Sequence, residues 1–338
     1  MIRLIGRSLL LLASLALALP VMGQTQLNGA GATFPYPMYS KWFSEYNKLH
    51  PDVQINYQSI GSGGGIRQVL NGTVDFGASD GPMTDEQLKD AKTKILHIPT
   101  VLGADVPAYN VPGITGEIKF TPEALAGIFL GRIQSWNDPA LTKANPGVNL
   151  PNSPIIVVHR SDGSGTTYIF TDYLSKVSKD WESAAGKGTS VKWPVGLGGK
   201  GNEGVAGQIR QLQGSIGYIE LVYAVENKIT FGSVRNAAGN FVKASLNGVT
   251  EAAATAPKMP PDFRVSITNA PGKTAYPISS FTWLLIPEQA KDPKKGKILV
   301  DFLNWMVTDG QKMTNQLSYA PLPANVAEKV KAAIKQVH

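Results

Sequence analysis

The chain of 338 residues contains no cysteine. Disulfide bonds and thiolate catalysis are therefore excluded, and so is a lipid anchor on the N-terminal cysteine of a mature chain. Histidine is scarce as well, with 4 residues, and neither histidines nor carboxylates occur at the spacing of a metal site. We therefore expect no metal and no other cofactor.

The sequence also lacks a long apolar run. The longest candidate, residues 9–19, is shorter than the roughly 18 residues expected of a membrane-spanning helix. It follows Arg3 and Arg7 and precedes small residues, an order typical of a secretory signal peptide rather than of a buried helix. We predict that residues 1–23 are a signal peptide cleaved after Gly23. An exported chain without disulfides suits a bacterial periplasm, because a chain of this size buries a large core.

Charge of one sign is not concentrated anywhere in the sequence. The net charge of +7 comes from scattered lysines and arginines, as in "KDPKKGK" and "EKVKAAIK". Such segments are typical of solvated helix faces, and no basic stripe with interleaved aromatic residues indicates binding to nucleic acid. A charge of this size exerts only a weak attraction on anions.

What the sequence does contain is an alternation of strand-like and helix-like segments, which predicts an α/β fold with largely parallel sheets. The predicted strands span residues 53–59, 74–80, 155–160 and 215–221. Apolar stripes at helical spacing predict buried helix faces, and the last is expected to end at Gly310. These stripes are formed by Met38, Trp42, Tyr46 and Leu49, by Ile66, Val69 and Leu70, by Ile169, Phe170, Tyr173 and Leu174, and by Ile298, Leu299, Phe302, Leu303 and Met306.

Three segments rich in glycine and hydroxyl residues each precede a predicted helix. They are "GAGATFPYP" (29–37), "SIGSGGGIRQVL" (59–70) and "HRSDGSGTTYIF" (159–170). A helix start offers free N–H donors and partial positive charge, glycine lets an anion approach, and hydroxyls add donors. Each segment alone is an ordinary capped helix start. Three of them in one chain, one with Arg160, predict an oxyanion site.

The segment "DFGASDGPM" places Asp80 after a predicted strand and a turn of small residues. Asp80 is either a turn or cap residue or a carboxylate inside the anion site. An ionised carboxylate only accepts hydrogen bonds, so in the site it would favour an anion that still carries a proton.

The sequence supports binding better than catalysis. Ser164 lies in D-G-S-G-T rather than in the G-x-S-x-G frame of a nucleophile elbow. His159 is expected on the opposite side of its strand from Arg160, so it would not serve as a base in the same site. The chain has no G-x-x-x-x-G-K-[ST] phosphate loop, and "GLGGKGNEG" is interpreted as a tight loop. An exported phosphatase or esterase that uses Ser164 is kept as the alternative.

Five motifs, "GAGATFP", "SIGSGGG", "VDFGASD", "RSDGSGTT" and "VKWPVGLGGKGNEG", occur in an order that resembles the periplasmic phosphate-binding proteins of bacterial ABC-type phosphate uptake. The resemblance runs from about Asn28 to the C-terminal region. It implies two α/β lobes with inorganic phosphate clamped between them. We expect lobe I to comprise residues 24–103 and 277–338, lobe II to comprise residues 104–276, and hinges near residues 102–110 and 276–280.

The resemblance also implies partners and site residues. The partners would be inorganic phosphate and an ABC-type permease with its ATPase complex in the inner membrane, and the binding protein would be a monomer without enzymatic activity. Asp80 would accept a proton of the phosphate, Arg160 would pair with the anion, and Asp162 would orient Arg160. Sulfate, molybdate or arsenate is the alternative ligand. The implied phosphate-binding residues are Thr33, Phe34, Ser62, Asp80, Arg160, Ser164, Gly165 and Thr166.

Overall fold

The structure, a computed structural model, describes residues 24–114 and 116–338. The expected signal peptide, residues 1–23, lies outside the described residues. The strands are β1 (Thr25–Gly31), β2 (Val53–Ser59), β3 (Phe76–Ser79), β4 (Ile95–Asn110), β5 (Lys119–Phe120), β6 (Ile156–Arg160), β7 (Leu197–Gly199), β8 (Ser215–Glu220), β9 (Thr230–Phe231), β10 (Ser233–Arg235), β11 (Phe241–Val242) and β12 (Ser279–Pro287).

Helices alternate with these strands, and a 3-10 helix, Gly310–Leu317, precedes the last of them. The α-helices are α1 (Tyr36–Leu49), α2 (Ser62–Asn71), α3 (Asp85–Lys89), α4 (Pro122–Phe129), α5 (Pro139–Thr142), α6 (Gly165–Val177), α7 (Lys179–Ala184), α8 (Gly201–Gln211), α9 (Leu221–Glu226), α10 (Leu246–Thr255), α11 (Pro293–Met306) and α12 (Ala324–Ile334). The α/β class predicted from the sequence is confirmed. Across the described part of the chain, no helix combines the length and the apolar character needed to cross a bilayer.

A nine-stranded sheet organises the fold, in the order β2-β1-β3-β12-β4-β8-β6-β7, with β9 added beside β4. Its two ends are parallel, since β1 runs parallel to β2 and β3, and β6 runs parallel to β7 and β8. At the centre, β12 and β4 are antiparallel to their neighbours. The prediction of a largely parallel sheet is therefore wrong for the centre. A fully buried strand gives an apolar run in either direction, and β4 is buried almost throughout.

Strand β4 joins the two ends of the sheet. Its residues 95–104 pair with β12, and its residues 105–110 pair with β8. The chain crosses from one half to the other a second time before β12 begins at Ser279. Two backbone segments thus connect the two halves at the middle of the sheet.

The predicted apolar stripes form the core, with two corrections at helix ends. Leu49 is 62% exposed, because it is the last residue of α1 and lies beyond the core contacts of that helix. Helix α11 ends at Met306, and Gly310 begins the 3-10 helix instead of terminating α11. The indole N–H of Trp42 donates to the Gly310 carbonyl at 2.8 Å. A Cβ at Gly310 would lie only 3.2 Å from the indole nitrogen, so glycine allows the indole to pack closely against the backbone.

Candidate anion-binding site

Four helices begin just beyond the carboxyl ends of strands that belong to the two halves of the sheet. Helices α1 and α2 follow the parallel strands β1 and β2, and helices α6 and α8 follow the parallel strands β6 and β7. The starts of α2 and α6 touch, since the Gly63 N–H donates to the Gly163 carbonyl at 2.9 Å. Converging helix N-termini concentrate partial positive charge and unpaired N–H groups, which is the arrangement that binds anions.

The structure brings all the predicted site residues into this neighbourhood. The Asp80 N–H donates to the Ser62 hydroxyl at 3.2 Å, and a side chain added to Gly165 would lie 2.4 Å from Asp80 Oδ2. Arg160 donates to the Thr166 hydroxyl at 3.2 Å. The eight predicted binding residues are all buried: Thr33, Phe34, Ser62, Asp80, Arg160, Ser164, Gly165 and Thr166.

The site is rich in backbone donors. Among the described residues, no acceptor is paired with the backbone N–H groups of Phe34, Ser62, Gly165 or Thr166. A buried donor without a partner costs about 1–3 kcal/mol, so an anion that pairs with several of them offsets a sizeable penalty.

Ser164 contributes differently from the neighbouring donors. Its N–H donates to the Thr189 carbonyl at 2.7 Å, and its hydroxyl accepts from the Thr167 N–H at 3.0 Å as the N-cap of α6. The hydroxyl proton of Ser164 is therefore the donor that it has left for a ligand.

Arg160 is the cation of the site, and Asp162 fixes its orientation. The guanidinium donates through Nε and Nη2 to the two Asp162 oxygens at 2.8 and 2.6 Å, which leaves Nη1 directed to Thr166. Burial acts to raise the pKa of Asp162, but the hydrogen bonds and charge of Arg160 outweigh it and hold that pKa below its ordinary value. Asp162 therefore holds the guanidinium in one orientation.

Asp80 neither caps a helix nor forms an ion pair. The following helix, α3, is capped by Thr84. The Asp80 side chain instead accepts from the Thr282 hydroxyl at 2.8 Å through Oδ1, which leaves Oδ2 on the side of Ser62 and Gly165. Burial raises the pKa of Asp80 to about 7, although the Thr282 hydrogen bond and the charge of Arg160 act to lower it.

Sequence reasoning missed Asn202, which joins the two halves of the site. Its side-chain amide donates to the hydroxyls of Thr33 at 2.8 Å and Thr166 at 3.1 Å, and its oxygen accepts from the Glu220 N–H at 2.9 Å. Asn202 lies in the "GLGGKGNEG" segment, which contains β7 and the start of α8 and is more than the tight loop that its glycines predict. A glycine-rich segment that leads from a strand into a helix is the signal that marks the other donor segments, and this segment shares it because it leads from β7 into α8.

His159 is not placed to serve Ser164 as a catalytic base. His159 stacks on Trp193 at a centroid distance of 4.9 Å, and its Nδ1 lies 3.0 Å from the Arg160 carbonyl. It is thus held by packing away from Ser164, as expected for a structural histidine. Within residues 24–114 and 116–338, no group of three or more His, Asp or Glu side chains is placed to hold a metal ion.

Known proteins with similar sequences place this site in a family. A profile described as "PBP superfamily domain" matches residues 22–310. The chain therefore belongs to the PBP superfamily, a class of solute-binding proteins.

Closer relatives define the family. The chain is 47% identical over 309 residues to a protein of Xylella fastidiosa named "Phosphate-binding protein PstS", covering 91% of this chain and 84% of the relative. A protein of the same name from Pasteurella multocida is 47% identical over 94% of this chain and 92% of its own length. The chain belongs to this PstS family.

Solved structures share the fold. The "high affinity periplasmic phosphate-binding protein (PfluDING) bound with phosphate at pH 8.5" superposes with a TM-score of 0.74 at 22% identity, covering 91% of this chain and 93% of the other. A phosphate-binding protein from Stenotrophomonas maltophilia gives 0.70 at 18% identity, with coverages of 91% and 93%. The similarity extends over both halves of the sheet.

Proposed function

We propose that this protein binds inorganic phosphate in the periplasm and delivers it to an ABC-type permease with its ATPase complex in the inner membrane. The observation that carries the proposal is the composition of the site: buried donors around one guanidinium, with the carboxyl of Asp80 directed at the donors. Such a site suits an anion that both accepts and donates hydrogen bonds. The names of the PstS relatives support the same ligand. The protein acts as a monomer and catalyses no reaction.

Each site residue has a defined role in this proposal. The N–H groups of Phe34, Gly165 and Thr166, with the hydroxyls of Thr33, Ser62, Ser164 and Thr166, donate to the phosphate oxygens. Arg160 supplies the charge, and Asp80 accepts the phosphate proton. The hydroxyl of Thr33 already accepts from Asn202, so its own proton is free to be donated.

Titration calorimetry with phosphate, arsenate, sulfate and molybdate tests the ligand. We expect phosphate to bind most tightly and sulfate and molybdate to bind far more weakly, because neither carries a proton for Asp80 near neutral pH. Stronger binding of sulfate or molybdate than of phosphate would overturn the proposal. As a check on the enzymatic alternative, a chromogenic phosphate ester should not turn over, and any turnover that Ser164→Ala abolishes would support catalysis instead.

We further propose that the lobes comprise residues 24–103 with 277–338 and residues 104–276. The boundary at 103/104 falls where β4 exchanges its partner β12 for β8. Contacts between the proposed lobes include the Gly63–Gly163 hydrogen bond and the Tyr223 hydroxyl, which donates to the Thr33 carbonyl at 2.6 Å. A ligand that bridges the lobes favours closure by its higher affinity for the closed state.

Closure gives a prediction about Gly163. A Cβ on Gly163 would lie 3.1 Å from the Cα of Gly63, so Gly163→Val places a larger side chain between the lobes. In solution scattering, we expect phosphate to compact the parent protein and to leave Gly163→Val extended, with weaker binding. Gly207→Val is the matched control, because within the described residues a Cβ at Gly207 would meet no atom within 4 Å apart from its chain neighbours and its own helix backbone. Equal compaction of Gly163→Val and the parent would argue against closure at this contact.

A further inference from the structure

Two acidic side chains face each other at the centre of the sheet. Asp105 of β4 and Glu220 of β8 are direct partners in the antiparallel register, and both are fully buried. Directly opposed residues in such a pair have Cβ atoms about 5 Å apart on the same face. The two carboxyl groups are therefore neighbours in the buried centre of the sheet.

These carboxyl groups lack the partners that a buried charge requires. Within the described chain, neither oxygen of Asp105 and not Oε1 of Glu220 has a hydrogen-bond partner. Glu220 Oε2 accepts from the Val222 N–H at 2.7 Å. Adjacent buried carboxylates without donors repel each other and lose hydration, and protonation relieves both costs.

The acid pair lies directly behind the anion site. Gly103 is on the same face of β4 as Asp105, and a Cβ there would lie 2.6 Å from the Phe34 ring and 3.1 Å from Glu220 Oε1. The Tyr319 hydroxyl donates to the Phe34 carbonyl at 2.6 Å and lies 3.4 Å from Glu220 Oε2. The Phe34 ring and Glu220 thus both pack against Gly103, and Phe34 presents its N–H to the site.

Among the residues that the structure describes, no lysine or arginine forms an ion pair with either acid. The charge that acts favourably on Asp105 is that of Arg160, whose guanidinium is already occupied by both Asp162 oxygens. Asp80 acts in the opposite sense on both acids, and burial raises the pKa of Asp105 and of Glu220 well above the ordinary values. The other titratable groups that face the pair are tyrosines whose own pKa burial raises, so they stay neutral: Tyr218, Tyr223, Tyr276 and Tyr319.

We propose that Asp105 and Glu220 form a proton-binding site that is coupled to anion binding, and that the cleft holds its anion tightly only while this pair is protonated. The proposal rests on the phosphate site proposed above. A bound anion adds negative charge nearby and so raises the proton affinity of the pair. In the pH range where the free protein has begun to release these protons, phosphate binding takes protons up, and the affinity falls as the pH rises.

Calorimetry of phosphate binding between pH 6 and pH 10, in buffers of different ionisation enthalpy, measures affinity and proton uptake together. Above about pH 8.5, phosphate itself has lost its second proton, so a further decrease in affinity reports on the protein. We expect the parent affinity to fall there by up to about tenfold per pH unit for each proton taken up. Asp105→Asn and Glu220→Gln, which mimic the neutral acids, should reduce both the slope and the proton uptake.

The outcomes separate the two proposals. Failure of the parent to bind phosphate at pH 6 would remove the proposed function itself. Binding at pH 6 without proton uptake by the parent above pH 8.5 would overturn the proton site, and this measurement needs no variant. The proton site would also be overturned if both variants kept the parent's pH dependence of phosphate affinity and its proton uptake. Asp80 would then account for the coupling between proton binding and phosphate binding. Asp301→Asn, at an exposed acid paired with Lys297, is the control and should match the parent.

Discussion

Replacing Arg160 by alanine is expected to weaken phosphate binding by about 2–5 kcal/mol, or about 30-fold to 4,000-fold. Arg160 is 3% exposed and is the cation of the proposed site, so its loss leaves a buried anion without a charged partner. Arg160→Lys keeps the charge but loses the planar fork held by Asp162, and we expect an intermediate affinity. Titration calorimetry of the three proteins measures the series.

The main complication is Asp162, which Arg160→Ala leaves without its partner. The double variant Arg160→Ala/Asp162→Asn removes that unpaired charge and should recover stability but not affinity. Arg264→Ala is the matched control, because Arg264 forms a similar pair with Asp262 at 2.8 Å outside the site. Phosphate affinity equal to that of the parent in Arg160→Ala would contradict the assignment of Arg160.

Local patterns in the sequence predicted much of this site. The α6 start combines a buried apolar stripe with a serine cap, and both features are visible in consecutive residues. Arg160 and Asp162 are two residues apart, so their pairing is also a local property. The site residues at the starts of α1, α2 and α6 were recognisable because each donor loop precedes its own helix.

Features that depend on pairing between distant strands were not predictable in this way. Asp105 and Glu220 meet only because β4 and β8 run antiparallel in one particular register, which no local pattern specifies. Asn202 reaches Thr33 across 169 positions of sequence, and Thr282 reaches Asp80 across 202 positions. These contacts are set by the topology of the sheet centre, where the prediction of parallel strands was wrong.

The largest effect is expected in the choice between phosphate and sulfate, which we propose that Asp80 controls. Sulfate has no proton near pH 7, so it would place an oxygen lone pair against an ionised Asp80 in a buried site. A site that pairs with a substrate O–H rejects an analogue without it by roughly 10⁴–10⁵-fold. The Thr282 hydrogen bond fixes Oδ1 of Asp80, and Oδ2, which accepts from the Ser62 hydroxyl at 3.4 Å, keeps a lone pair for the ligand. We expect the parent to discriminate on this scale.

The substitution Asp80→Asn should narrow the gap between the two ions, chiefly by improving the affinity for sulfate. The asparagine amide donates a hydrogen bond, and its oxygen can still accept from Thr282. Phosphate affinity should change only modestly, because a repulsive charge is lost together with an acceptor. Paired phosphate and sulfate isotherms at pH 8 measure the ratio, with Asp85→Asn, at an exposed acid outside the site, as the control.

The pKa of Asp80 adds a test that needs no substitution. Burial raises this pKa to about 7, so the free protein gains a proton at Asp80 as the pH falls through neutrality. A protonated Asp80 donates a hydrogen bond, and sulfate can accept it. Sulfate affinity of the parent should therefore rise as the pH falls from 8 to 5.5, by up to about tenfold per pH unit above the pKa and then levelling off below it, while Asp80→Asn should show a flatter dependence. If the parent binds sulfate within tenfold of phosphate at pH 8, or if both proteins respond to pH alike, Asp80 does not control the choice of anion.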